Sequence, residues 1–122
     1  MLQHVALEVA PEKIGAEVGF WSAVGFMPVE VPEGLGPGTF WLEREQTQVH
    51  LVSAESPAIP SSGHAAIVVP DFDETVGRLQ RAGYEVSRRS RYWGAARAKL
   101  TTPGGHLVEL MAAPPPPGRA VS

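Results

Sequence analysis

The chain reads as an α+β protein built from two βαβββ modules related by a pseudo-twofold. Three observations carry that reading. The segment His4–Val9 resembles His64–Val69: both alternate at the strand period of two, and both open with histidine. Each is followed by a helix-like stretch that ends in a glycine and an aromatic, Gly25-Phe26 in one half and Gly83-Tyr84 in the other. Each half then continues with three short strand-like runs.

The elements follow in order. After the first strand, Pro11 opens a helix with Ile14, Val18 and Trp21 on one face. Strands are predicted over about Met27–Val31, Thr39–Glu43 and Gln48–Ser53, with turn residues from Pro32 to Gly38 between the first two. Glu55–Gly63, rich in Ser, Pro and Gly, reads as the linker between modules. In the second half, Asp71 or Asp73 caps a helix with Phe72, Val76 and Leu79 on one face. Strands then run over about Glu85–Arg89, Arg97–Thr101 and His106–Ala112, the last two joined through Pro103-Gly104-Gly105. The organisation is one domain over 1–113, with module one about 1–54, a linker over 55–62 and module two over 63–113, then a proline-rich tail over 114–122. That tail reads as extended and unpacked, a PxxP ligand being the alternative. Neither module is large enough to bury a core alone, so the two pack on each other or on a second chain. Exposed sheet edges point to a homodimer.

Composition narrows the function. At 122 residues and a net charge of −3, the chain lacks the dense basic surface that nucleic acid requires. It has no cysteine, which removes disulfides, thiolate metal sites and a Cys nucleophile. No apolar run reaches the ~18 residues of a membrane span, and no secretory signal is visible at Met1. A cytoplasmic location is the expectation. There is no GxSxG elbow, P-loop or GxGxxG after a strand.

Strand parity selects the polar residues. His4, Ala6 and Glu8 share a face, as do His64, Ala66 and Val68. Gln48, His50 and Val52 share one on the last strand of module one, and Leu107, Glu109 and Met111 on that of module two. His4 and His64 are repeat equivalents, and so are His50 and Glu109. Two such pairs point to one site on the pseudo-twofold. Neutral imidazole and carboxylate suit Zn²⁺, Ni²⁺, Fe²⁺, Mn²⁺ or Co²⁺, and two His with one carboxylate leave positions open for chemistry. Ala6 and Ala66 leave space beside the histidines. Each residue also has a plain alternative. A strand histidine is commonly a hydrogen-bonded core or edge residue. His50 is a ligand, a donor to substrate or a packing residue, and Glu8 is a site carboxylate or a solvated one. Glu109, between Val108 and Leu110, needs a partner wherever it is buried. His106 points away from Glu109, to a surface or turn role. Arg88, Arg89, Arg91 and Arg97 attract an anionic substrate or line a solvated edge. Phe40, Trp41, Tyr92 and Trp93 wall a small-molecule pocket, or serve as core or dimer contact.

From about Leu2 to Ala112 the sequence resembles the vicinal oxygen chelate superfamily, the glyoxalase, bleomycin-resistance and extradiol-dioxygenase group. The resemblance rests on His4–Val9, on Val18–Phe26, similar to the family's FYxxxLGF helix end, on Gly63–Val69 with Asp71-Phe72-Asp73, and on Pro103–Leu110, similar to the ending DPxGxxxEL with Thr102 in place of the aspartate. It implies a cupped mixed sheet around one divalent metal, with ligand positions at His4, His50, His64 and Glu109. It also implies glyoxalase I-like lyase or isomerase chemistry, in which vicinal oxygens of a small oxygen-rich metabolite are chelated and an enolate or oxyanion is stabilised, with His50, Glu8, or Glu109 on leaving the metal, as catalytic base. Three-ligand branches imply His4, His64 and Glu109 alone. Ala6 stands where the fosfomycin branch has a hydroxyl. The alternatives are a metal-free drug-binding protein of the bleomycin-resistance type and a small extradiol-type dioxygenase.

Overall fold

The computed structural model describes residues 1–121. Two four-stranded sheets carry one helix each. Module one comprises β1 (His4–Val9), a 3-10 turn (Pro11–Lys13), α1 (Ile14–Ala23), β2 (Met27–Val29), β3 (Thr39–Arg44) and β4 (Thr47–Ser53). Module two comprises β5 (Ala65–Val68), α2 (Phe72–Arg81), β6 (Ser87–Arg89), β7 (Arg97–Thr101) and β8 (Leu107–Met111). The predicted βαβββ order holds in both halves, with β2 and β6 shorter than expected. The sheets have the same topology, β1-β4-β3-β2 and β5-β8-β7-β6, each with one parallel pair, β1–β4 or β5–β8, and otherwise antiparallel neighbours. The one cupped sheet is thus two sheets within the chain. β1 and β5 are edges that share no ladder, and a cavity of about 270 Å³ lined by Val5, Leu7, His64 and Ala65 lies between them.

The repeat is most exact where the helices stop. Gly25 and Gly83 have φ of 98° and 97°. In α1 the Phe26 N–H reaches the Trp21 carbonyl and the Gly25 N–H that of Ser22; in α2 Tyr84 reaches Leu79 and Gly83 reaches Gln80. These are paired Schellman closures, which need a residue at positive φ that glycine supplies without strain. Asp71 precedes α2 at the N-cap position but makes no side-chain cap bond. Gly15 and Gly19 weaken α1's intrinsic helicity, so packing must hold it.

That packing is one hydrophobic core shared by both modules. The helix-side faces of the sheets supply Val9, Leu42, Val49 and Leu51, then Ile67, Ala98, Leu100, Val108 and Leu110. Phe20, Trp21, Phe72, Val76 and Leu79 come from the helices. Each large side chain fully buried this way contributes about 1.5–3 kcal/mol. Val18, expected on the core face of α1, is only half-buried, whereas Glu17 is fully buried. Its carboxylate accepts Trp21 Nε1–H at 3.0 Å and the Gly104 N–H of the β7–β8 turn at 2.7 Å. A Cβ on Gly104 would lie 2.8 Å from that carboxylate, so only glycine allows this approach. Further ties cross between modules. The Arg44 guanidinium donates to the Val68 carbonyl at 2.8 Å, and Arg78 donates to the Ala23 carbonyl at 3.0 Å, capping α1. His106 corrects an expectation: it sits in the turn before β8 but is buried, 4% exposed, with Nε2 2.7 Å from the Glu8 carbonyl. An edge-strand carbonyl turned inward must find a donor, and His106 supplies it.

Candidate functional site

The sheet faces away from the helices carry the candidate residues, as parity required. In module one, β3 places Trp41 opposite His50 on β4, and β1 places Ala6 on its other side. The rings of Trp41 and His50 stack at 4.0 Å and 1°, and those of His50 and His4 at 4.0 Å and 18°. His50 Nε2 lies 2.8 Å from Gln48 Oε1, and the Gln48 amide donates to Glu43 Oε1 at 2.8 Å. Because the amide oxygen only accepts, His50 carries its proton on Nε2. Burial, then the charge of His4, hold its pKa below the ordinary histidine value. His4 Nδ1 lies 2.6 Å from Gln3 Oε1, leaving Nε2 without a hydrogen bond among the described residues. Nearly parallel rings 4.0 Å apart keep their in-plane lone pairs in separate planes, so His4 and His50 do not both point at a common ion.

Module two is built differently. His64, just before β5, sets Nδ1 2.9 Å from the Ser62 carbonyl, so Nδ1 holds the proton and Nε2 the lone pair. That Nε2 lies 3.5 Å from Glu109 Oε1. The other carboxylate oxygen, Oε2, accepts Arg97 Nε–H at 2.7 Å. The Arg97 hydrogen bond holds the Glu109 carboxyl below its ordinary pKa against the cost of burial, with the charges of Arg97, His64 and Lys99 adding to it. The same bond raises the pKa of Arg97. Arg97 also lies under Trp93 at 5.0 Å and Tyr92 at 5.5 Å, a cation–π clamp on its outer side.

The separation of 3.5 Å has chemical content. It exceeds a good hydrogen bond. Two donors each ~2.1 Å from one ion at the tetrahedral angle stand about 3.4 Å apart. The far atom of each side chain, His64 Nδ1 and Glu109 Oε2, is tied back to the protein, as outer partners of metal ligands are. The donor pair therefore fits a divalent ion.

The four expected ligands form two pairs, His4 with His50 and His64 with Glu109, rather than one cluster. Among the described residues no group of three or more His, Asp or Glu side chains converges. Within one chain the four therefore stay apart, because the β1 and β5 edges are not joined. Glu8 is exposed on the His4 face, where its Oε1 accepts the Ala58 N–H at 2.9 Å and anchors the linker. Arg97 is not a solvated edge residue, since its side chain is 12% exposed. Its link to Glu109 escaped the sequence reading, although the tight β7–β8 hairpin puts the two in diagonal register.

A family model described as the Glyoxalase/Bleomycin resistance protein/Dioxygenase superfamily matches residues 2–110. No curated protein matches the chain. Among solved structures, the chain is similar to a glyoxalase family protein from Bacillus anthracis, at 21% identity and a TM-score of 0.80, over 91% of this chain and 93% of that one. TnmS3, an antibiotic binding protein from Streptomyces sp. CB03234, gives 23% identity and 0.70 over 91% and 93%. FosX, a genomically encoded fosfomycin resistance protein from Listeria monocytogenes, gives 20% and 0.72 over 93% and 91%. With the repeat, the paired topology and a family match across nearly the whole sequence, the chain belongs to the glyoxalase/bleomycin resistance protein/dioxygenase superfamily.

Proposed function

We propose that this protein is a divalent-metal-dependent enzyme of the superfamily, with lyase or isomerase chemistry on a small oxygen-rich metabolite. His64 and Glu109 of one protomer would hold the ion together with His4 of a second copy, in a homodimer. The observation that carries the reading is the His64–Glu109 pair, with one donor atom of each directed to the same space at 3.5 Å. His4 lies on the free edge strand β1 with Nε2 uncommitted, which suits a ligand supplied across an interface. When bound, the ion would supply Lewis acidity to vicinal oxygens of the substrate.

The chain's own residues do the rest. The Ser62 carbonyl fixes the His64 tautomer, and Arg97 keeps Glu109 ionised and oriented; both are positioning contacts. His50 stays neutral at pH 7 and keeps Nδ1 as an acceptor, so it is the better proton acceptor on this face. Glu8 is the weaker candidate, because one carboxylate oxygen is spent on Ala58. Trp41 backs the His50 ring and limits its rotation.

A second reading, a ligand-binding protein that needs no metal, is favoured by the exposed Tyr92 beside the half-buried Trp93. Metal analysis of the purified chain, by inductively coupled plasma mass spectrometry after dialysis against each candidate ion, separates the two. The enzyme reading expects one ion per site, lost in Glu109→Ala and retained in His106→Ala. No retained ion in the wild type selects the binding reading.

A further inference from the structure

A groove of about 760 Å³ opens on the sheet of module two beyond Glu109. Register places its polar lining on the ligand side of that sheet. Lys99 is directly opposite Glu109, Ser87 is opposite Lys99, and Arg89 is opposite Arg97. Thr101 completes this wall. Arg97 is committed to Glu109 and Arg88 to Asp73, on the other face. Lys99 and Arg89 make no ion pair among the described residues. Glu85 also lines the groove. Two cations outside the ion pairs of the described residues, with hydroxyls beside them in a groove one strand away from Glu109, are an anion-recognition arrangement.

We infer that Lys99 and Arg89, with Ser87 and Thr101, form a subsite for an anionic group of the substrate, carboxylate or phosphate. This names the substrate class for the site proposed above and rests on that reading. Neighbouring strands lie about 4.8 Å apart, so the anion sits roughly 5–10 Å from the chelating end. The substrate is then a short acid or phosphate ester with vicinal oxygens at one end and its negative group about four to eight bonds away.

The subsite can be tested without activity and without metal. Inorganic phosphate and, separately, acetate are titrated into the full chain, and backbone amide shifts are followed by NMR. Saturable shifts at residues 87–89 and 99–101 are expected, larger for phosphate if a phosphate ester is the source and for acetate if a carboxylate is. They should vanish in the doubly substituted Arg89→Gln, Lys99→Gln chain and persist in His64→Ala. Absence of those shifts in the wild type, or their survival in the double variant, overturns the subsite while leaving the metal reading intact. Loss of metal binding with the shifts retained does the reverse. In metal-loaded protein, 3-phosphoglycerate should bind roughly tenfold more tightly than glycerate. That ratio should fall to about one in the double variant; an unchanged ratio would mean the anion is held elsewhere.

Discussion

The two modules share a backbone and differ in what they present on it. Position for position, His50 in module one corresponds to Glu109 in module two, and their cross-strand partners are Trp41 and Lys99. One module stacks three neutral or weakly charged rings; the other interlocks a carboxylate with a guanidinium and an imidazole. Beyond them the contrast continues, with Met27 and Val29 exposed on β2 against Ser87 and Arg89 on β6. Duplication therefore supplies a symmetric scaffold, on which side-chain divergence puts a ring stack in one module and an ion-pair cluster in the other.

The strongest way to break this comparison is to remove the equivalent residue from each module. Glu109→Ala should abolish stoichiometric metal binding. It should also lower stability in urea unfolding, because Arg97 loses the carboxylate that balances its charge. His50→Ala should retain metal and lose less stability. Equal losses from the two would show that the modules contribute alike and would end the distinction drawn here.

A sharper test leaves both ligands in place. Arg97→Met removes the contact that orients Glu109. Metal affinity should fall by about 10–100-fold, as for other outer partners of metal ligands. Isothermal titration with Zn²⁺ reads it directly. Restoration by Arg97→Lys would be only partial, since an ammonium lacks the planar donor geometry of guanidinium. An affinity unchanged in Arg97→Met would remove its positioning role.

These residues also show what a sequence discloses. Alternation and the repeat were enough to place His4, His50, His64 and Glu109 on the faces away from the helices, since parity depends only on the backbone. The helix ends were legible because glycine at positive φ is a local requirement. Partnerships were not legible in the same way. Glu109 needed a counter-charge, and Arg97 was at hand, but the choice among four nearby arginines depends on hairpin register. Glu17, beside the apolar stripe, received no role from the sequence. Its burial depends on a turn 87 residues away, although its i, i+4 spacing from Trp21 was a signal. The division of the four ligands into two pairs depends on how whole sheets pack, which no local pattern encodes.

On the module-one side, Trp41→Leu tests the ring stack. The stack contribution beyond burial is about 0.5–1.5 kcal/mol, so thermal unfolding should shift by a few degrees. Metal binding should be unchanged, because His4, His64 and Glu109 all remain and Trp41 touches none of them directly. A loss of metal in Trp41→Leu would mean that the stack holds His4 in its ligating pose.

The smallest expected effect is also the most specific to His50. Its pKa is lowered in the folded protein, so the unfolded chain binds a proton that the folded chain does not. Stability then falls as pH drops through the unfolded value of ~6.5 and stops falling below the depressed folded value. His50→Gln removes this titration and should flatten the pH dependence of unfolding free energy in that window. The number of protons taken up per metal released should stay the same, because His50 Nε2 is committed to Gln48 and its ring lies parallel to that of His4. A drop of one proton per metal in His50→Gln would instead make it a ligand. The module-one stack would then have to open when the ion binds, and the difference between the two modules would belong only to the metal-free protein.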